Sequence, residues 1–341
     1  MASTILLAAI FFLLYSSTCT LSVNDDFALY LTHQDSPHSP FYNHSMTTYD
    51  RRLAAARRSL SRLKRLHLQV TLQQGPPEFA PTLIPDDLEY IINLYVGTPP
   101  TKVTAFIDTG SDLVWIKGIP FFDPDKSFSF TNLPCDSDFC YDLRYYRTCG
   151  GQNPCTYRYT YEDGSITSGI LSKDKFTFEA PDKSLVDVGF VTFGYSNANS
   201  SGFTGKENGC VGLTGGSLSL IEQLGIKKFS HCMIIPDNEV RGSLMYFGSR
   251  AVVYGSQTPI QENEFGFYDV KLDGISIGDE RVPYGRHISI DSGTSHTLLD
   301  PMVFSHWWIR YASLCRNHGE AFMNLNCALM APLMMCASYP T

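Results

Sequence analysis

Ala105-Phe106-Ile107-Asp108-Thr109-Gly110-Ser111 runs from an apolar stretch directly into an Asp-Thr-Gly triplet, and Ile288-Ser289-Ile290-Asp291-Ser292-Gly293-Thr294-Ser295 repeats the arrangement. The apolar run from Val103 to Ile107 reads as a buried strand, and a Gly two residues after the Asp permits a tight turn where a Cβ would clash. Each triplet therefore presents a carboxylate at a strand end. The hydroxyls of Thr109 and Ser292 can bond the turns and hold the carboxylates coplanar, while Ser111 and Thr294 can reach the outer oxygen of their own Asp. Two carboxylates brought face to face cannot both ionise cheaply, so they share one proton. The ionised member can deprotonate water and the protonated member can donate to a developing oxyanion, with no metal or covalent intermediate required.

A single Asp-Ser/Thr-Gly arises by chance about once in six chains of this length, and its bland reading is a surface turn. Here the surroundings are duplicated as well. Tyr90-Ile91-Ile92-Asn93-Leu94-Tyr95-Val96-Gly97 precedes the first triplet, and Tyr268-Asp269-Val270-Lys271-Leu272-Asp273-Gly274-Ile275-Ser276-Ile277-Gly278 precedes the second. Strand, Gly turn, strand, Asp recurs in order, the mark of an internal duplication that yields two lobes in one chain.

With 341 residues and 43% hydrophobic content, the chain exceeds one typical core and suits two lobes. Frequent Gly and strand-type residues point to a mainly β protein. The net charge of −8 conceals an asymmetry: all the basic residues ahead of position 86 lie between Arg51 and Arg65, with no acid among them. Residues 1–20, with the apolar run Ile5–Tyr15 and the small residues Ser16, Ser17 and Thr18, read as a secretory signal peptide, and the run is too short for a membrane span. Leu53, Leu60, Leu63 and Leu66 among arginines predict a basic amphipathic helix. Gln73 to Pro85 then reads as a Pro-rich linker.

From the prosegment through the second Asp, the chain resembles the plant nepenthesin-like group of pepsin-like aspartic proteases. The resemblance rests on the two triplets, on His33-Gln34-Asp35-Ser36-Pro37-His38-Ser39-Pro40-Phe41-Tyr42-Asn43, on Trp115 in Asp112-Leu113-Val114-Trp115, and on Tyr161-Glu162-Asp163-Gly164-Ser165. It implies a bilobal pepsin-like fold in which Asp108 and Asp291 are catalytic, supported by Thr109, Gly110, Ser111, Ser292, Gly293 and Thr294. Tyr161, Gly164 and Ser165 would form the tip of a flap over substrate, with Trp115 behind it. Glu162 departs from the family's Gly. On the residues alone, 155–178 is a hairpin and Tyr161 an ordinary cross-strand aromatic. No cofactor or metal is implied. The expected partners are a peptide or protein substrate and the chain's own prosegment, residues 21–85, as intramolecular inhibitor. A basic segment can cover an acidic cleft and leave as carboxylates protonate. Nucleic-acid and membrane-surface binding rank below self-inhibition behind a signal peptide. The expected protein is a monomer, secreted to the apoplast or held in the vacuolar or endomembrane lumen.

Cys135, Cys140, Cys149 and Cys155 cluster beyond the first Asp. Their spacing would suit zinc in a cytosolic protein and disulfides in a secreted one, where four cysteines allow three connectivities. Tyr195 stands where relatives often carry Cys, and a cysteine-rich insertion after Trp115 is shortened, so the family's pairings do not transfer. Asn43 and Asn199 head glycosylation sequons. His231 beside Cys232 is a strand residue next to a disulfide rather than a nucleophilic pair, and His296 simply follows the second motif. His-Glu-x-x-His, P-loops and dinucleotide fingerprints do not occur.

The two lobes are expected to be unequal. Cys210-Val211-Gly212-Leu213 matches the element that braces the first catalytic turn in the family, and a second copy is due after Asp291. The only glycine after Ser295 is Gly319, and Leu325 to Pro340 is unlike the family. The expectation is a complete N-terminal lobe over 86–265 and an incomplete C-terminal lobe over 266–341, read as a truncated or mis-spliced product. Aspartic endopeptidase is the reading by ancestry. The alternative is a catalytically impaired homologue that binds peptides or another protein.

Overall fold

The computed structural model describes residues 25–71, 89–149, 154–160, 166–196, 208–233, 242–252, 255–261, 263, 265–277, 280–294, 296–300, 303–305 and 335–340. Its strands are β1 (Ala28–His33), β2 (Tyr90–Val96), β3 (Thr101–Asp108), β4 (Trp115–Lys117), β5 (Thr131–Asn132), β6 (Thr156–Thr160), β7 (Ile166–Glu179), β8 (Leu185–Ser196) and β9 (Gly209–Gly212). They continue with β10 (Lys228–Met233), β11 (Ser243–Phe247), β12 (Ile260–Gln261), β13 (Asp269–Ile277), β14 (Glu280–Ser289) and β15 (Met335–Pro340). The protein is mainly β, as the sequence predicts. One helix is long, α1 (Thr48–Thr71), and α2 (Asp138–Asp142) and α3 (Leu220–Leu224) are short.

Twelve strands form one sheet in the order β15-β10-β11-β1-β2-β3-β9-β4-β8-β7-β5, with β6 paired to β7, and β12-β13-β14 form a second sheet. The apolar runs that flank Asp108 are explained by burial on both faces. From β3, Val103, Ala105 and Ile107 enter one core with Ile92, Leu94 and Phe178, while Phe106 enters another with Ile91, Trp115 and Tyr157. A strand covered on both sides reads as a continuous apolar run rather than an alternating one. β7 and β8 form a long hairpin closed at Ala180 to Ser184.

β1 falls within the segment read from the sequence as prosegment, yet it lies inside the large sheet. It pairs with β11 through Ala28 to Leu31 and with β2 at Thr32 and His33. Phe27 stacks on Phe247 at 4.5 Å and on Phe178 at 5.6 Å, and Leu29 and Leu31 are fully buried. Burying such side chains stabilises by about 1.5–3 kcal/mol each, so β1 is part of the core and not a surface strap.

α1 starts with a reciprocal cap: Asp50 N–H donates to Thr47 Oγ1, and Thr47 N–H and its hydroxyl donate to Asp50 Oδ2. Its seating is described through residue 59. Leu53 is exposed, whereas Arg58 and Ser59 are buried, because polar partners from other segments await them. Residues 335–340, within the tail that reads as unlike the family, form β15 against β10, with Cys336 opposite Cys232 in register. The signal-peptide stretch, the linker and the sequon residue Asn199 lie outside the described residues.

Candidate active site

Asp108 closes β3 and is 1% exposed. Its Oδ1 accepts from Gly110 N–H at 2.9 Å and its Oδ2 from the Ser111 hydroxyl at 2.5 Å. Asp291 follows β14 and is held in the same way: Gly293 N–H donates to Oδ1 at 2.9 Å and the Thr294 hydroxyl to Oδ2 at 2.7 Å. Paired backbone and hydroxyl donors of this kind fix the orientation of a carboxylate.

The two turns are joined by an exchange of bonds. Thr109 N–H donates to Ser292 Oγ at 3.0 Å, and Ser292 N–H donates to Thr109 Oγ1 at 2.8 Å. The Thr109 hydroxyl also donates to the Ile290 carbonyl at 3.3 Å. Sequence positions 183 residues apart are thereby locked in register. The structure brings Asp108, Thr109, Gly110 and Ser111 together with Asp291, Ser292, Gly293 and Thr294.

Support beneath the turns is unequal. β9 runs parallel to the end of β3, pairing Ile107 with Val211 and Asp108 with Gly212, and Leu213 N–H donates to the Asp108 carbonyl at 2.8 Å. A side chain at Gly212 would meet the Asp112 carbonyl oxygen at 2.3 Å and that of Ser111 at 2.6 Å, so the close approach of this strand to the Asp108 turn requires glycine. Among the described residues no strand lies beside 290–294 in the same manner. Instead Ile290 N–H donates to the Tyr268 carbonyl at 3.0 Å, and the buried Tyr268 hydroxyl donates to the Leu213 carbonyl at 2.5 Å, tying the second turn to the brace of the first.

Trp115 on β4 is buried in the cluster that holds Phe106 and Tyr157. The hairpin expected to carry the flap is formed by β6 and β7, with Thr160 opposite Ile166. Its tip, with Tyr161, Gly164 and Ser165, lies outside the described residues. Tyr157 is fully buried at its base, which pushes its phenol pKa up. Tyr195 packs its ring against Phe122 and Phe130.

Of the three connectivities the sequence allows, the structure takes Cys135–Cys149 and Cys140–Cys155. Cys232 is also disulfide-bonded, so the His231–Cys232 pair offers no nucleophilic thiol. Burial lowers the pKa of His231 to about 4. Asn43 is exposed ahead of α1, its side-chain oxygen accepting from Ser45 N–H at 2.9 Å. No described helix is long and apolar enough to cross a membrane.

Sequence reading missed one neighbour of the site. His296 N–H donates to Ser59 Oγ at 3.1 Å, and its Nδ1 lies 3.3 Å from the same oxygen, so α1 touches the segment just beyond the Asp291 turn. No local pattern marks a serine and a histidine 237 positions apart.

Comparison with known proteins agrees with this geometry. Residues 90–249 match the family described as Xylanase inhibitor N-terminal. A probable aspartic protease of Arabidopsis thaliana is 35% identical, across 89% of this chain and 76% of that protein. Aspartic proteinase nepenthesin-1 of Nepenthes gracilis is 33% identical, across 80% of this chain and 63% of its own length. Among solved structures, basic 7S globulin from soybean superposes with a TM-score of 0.55 at 20% identity, over 67% of this chain and 66% of that one, a likeness of fold alone.

Proposed function

The chain belongs to the plant pepsin-like aspartic proteases, and from that membership we propose that it is an aspartic endopeptidase, made as a secreted zymogen, in which Asp108 and Asp291 share one proton and activate water. The matched turns carry this reading: each carboxylate keeps one backbone and one hydroxyl donor, and the two turns exchange bonds through Thr109 and Ser292. Such preorganisation is what water activation demands, because misplacement by an ångström costs orders of magnitude in rate.

In the proposed cycle the ionised carboxylate takes a proton from water as the oxygen attacks a peptide carbonyl, and its protonated partner donates to the oxyanion. Collapse of the tetrahedral species returns the proton to the leaving amine. Tyr161, Gly164 and Ser165 close over the bound peptide with Trp115 behind them. Residues 21–85 act as inhibitor until removed. The mature protein is a monomer of the apoplast or vacuolar lumen, glycosylated at Asn199, with Asn43 in the prosegment.

A second reading, a peptide- or protein-binding homologue without activity, is favoured by the lesser support beneath the Asp291 turn among the described residues. Acidification of the purified chain decides between them. Pepstatin-sensitive cleavage of a denatured protein at pH 3–5, abolished by Asp108→Asn, is expected. Cleavage that survives Asp108→Asn would overturn the dyad mechanism, and pepstatin binding without cleavage would establish the binding role.

A further inference from the structure

The motif His33-Gln34-Asp35 and one arginine of the basic run meet in a buried cluster that the catalytic reading does not use. Arg58 on α1 is 4% exposed, and Glu89, immediately before β2, is 2% exposed. Arg58 Nε donates to Glu89 Oε1 at 2.7 Å, while its terminal nitrogen reaches Glu89 Oε2 at 3.0 Å and Asp35 Oδ2 at 2.9 Å. His33 Nδ1 accepts from Asp35 N–H at 3.0 Å, which puts the ring proton on Nε2, 2.9 Å from Glu89 Oε2. His33, Asp35 and Glu89 are grouped as a metal site would be, but the Arg58 guanidinium already supplies the cation. Ser59, the next residue on α1, is the one that meets His296 beyond the Asp291 turn.

We propose that Arg58, Glu89, Asp35 and His33 form a latch that keeps α1 seated beside the Asp291 turn through moderate acidification, so that this cluster, and not the general charge of the basic segment, sets when the helix leaves. The proposal rests on the zymogen reading above and refines it. Burial alone would raise the pKa of Glu89, but the His33 bond and the Arg58 charge outweigh it and hold the group at about 2. A carboxyl depressed in the folded state stabilises fully above its ordinary value of 4.5, and that contribution declines as pH falls toward the folded value. The pairing therefore persists to about pH 3, where exposed carboxylates are already largely neutral. The groups facing the cluster are Arg58 from α1, His33 at the end of β1, Asp35 in the turn after it, Glu89 before β2 and His296 past the second turn.

Hydrogen exchange followed by mass spectrometry on the full chain, from pH 6 to 3, tests the latch. Amides 51–59 are expected to stay protected in the wild type down to about pH 3, and Glu89→Gln is expected to lower their protection about 100-fold at pH 5, the consequence of removing the buried charge that the guanidinium forks onto and leaving it Asp35 alone. Amides of β7 and β8 should not change. Wild-type protection of 51–59 that vanishes by pH 4, or an unaltered Glu89→Gln helix, would overturn the proposal. If Glu89→Gln also exposes β7 and β8, Arg58→Lys decides instead: it keeps the charge but loses the fork, and reduced protection confined to 51–59 supports the latch while none refutes it. Peptide cleavage measured alongside should begin at higher pH in Glu89→Gln than in the wild type, and the same onset in both refutes the latch. Absence of cleavage in every chain refutes the protease reading and leaves exchange to decide.

Discussion

Replacing Thr109 by Val keeps the side-chain shape and removes the hydroxyl that joins the two aspartate turns. Ser292 N–H then loses its acceptor at 2.8 Å, and the Ile290 carbonyl loses a donor at 3.3 Å. Thr109 is 1% exposed, which leaves little room for water to substitute. A buried N–H left without a partner costs about 1–3 kcal/mol, and the longer bond to Ile290 contributes about 0.5 kcal/mol, so a loss of about 2–3 kcal/mol is expected. With a urea slope of about 2 kcal/mol per molar, the unfolding midpoint falls by about 1 M. The bonds from Gly110 and Ser111 to Asp108 are untouched, so the carboxylate keeps its own donors and loses its register with Asp291. A fall in kcat of about 100-fold is expected on that ground, with KM nearly constant. Ser292→Ala removes the reciprocal acceptor, and since both hydroxyls close one ring of bonds the double variant should be less destabilised than the sum of the singles. A Thr109→Val chain within about 0.5 kcal/mol of wild type, with kcat unchanged, would refute the assignment of the exchange as the bond that sets the dyad.

Leu29→Ala empties a fully buried position on β1 and should cost about 3 kcal/mol in a chemical denaturation experiment; an effect under about 1 kcal/mol would show that β1 is a surface strap after all. His231 gives a pH signature of its own. Burial depresses its pKa to about 4, so below the ordinary 6.5 the unfolded chain takes up a proton that the folded chain refuses. Stability should therefore fall as pH drops from 6.5 to about 4, by about 3 kcal/mol, and His231→Leu should flatten that slope. An unchanged slope in the variant would remove His231 as its source.

The prosegment shows where sequence patterning succeeds and where it fails. A helix among Leu53, Leu60, Leu63 and Leu66 is legible because helical periodicity depends on near neighbours, and α1 spans that stretch. Its buried contact is not legible, since Arg58 and Ser59 are drawn inward by Glu89, Asp35 and His296, partners 31, 23 and 237 positions away. Taken alone, an arginine in a basic run reads as solvated, and only a preformed pair of carboxylates offsets the cost of burying it. The cysteine cluster behaves similarly: a disulfide framework follows from composition, but the choice of Cys135–Cys149 and Cys140–Cys155 depends on how α2 and the hairpin base meet in space.

By itself the sequence determined the mainly β class, the two aspartate turns and the donors within each, because an Asp followed by Gly and then by a hydroxyl residue carries its geometry within four consecutive positions. Tertiary structure decided the rest: the exchange between Thr109 and Ser292, the insertion of β1 between β11 and β2, and the buried cluster around Glu89. Those features join segments far apart in the chain, and their selection lies in packing and burial, which act only once distant residues have been brought together.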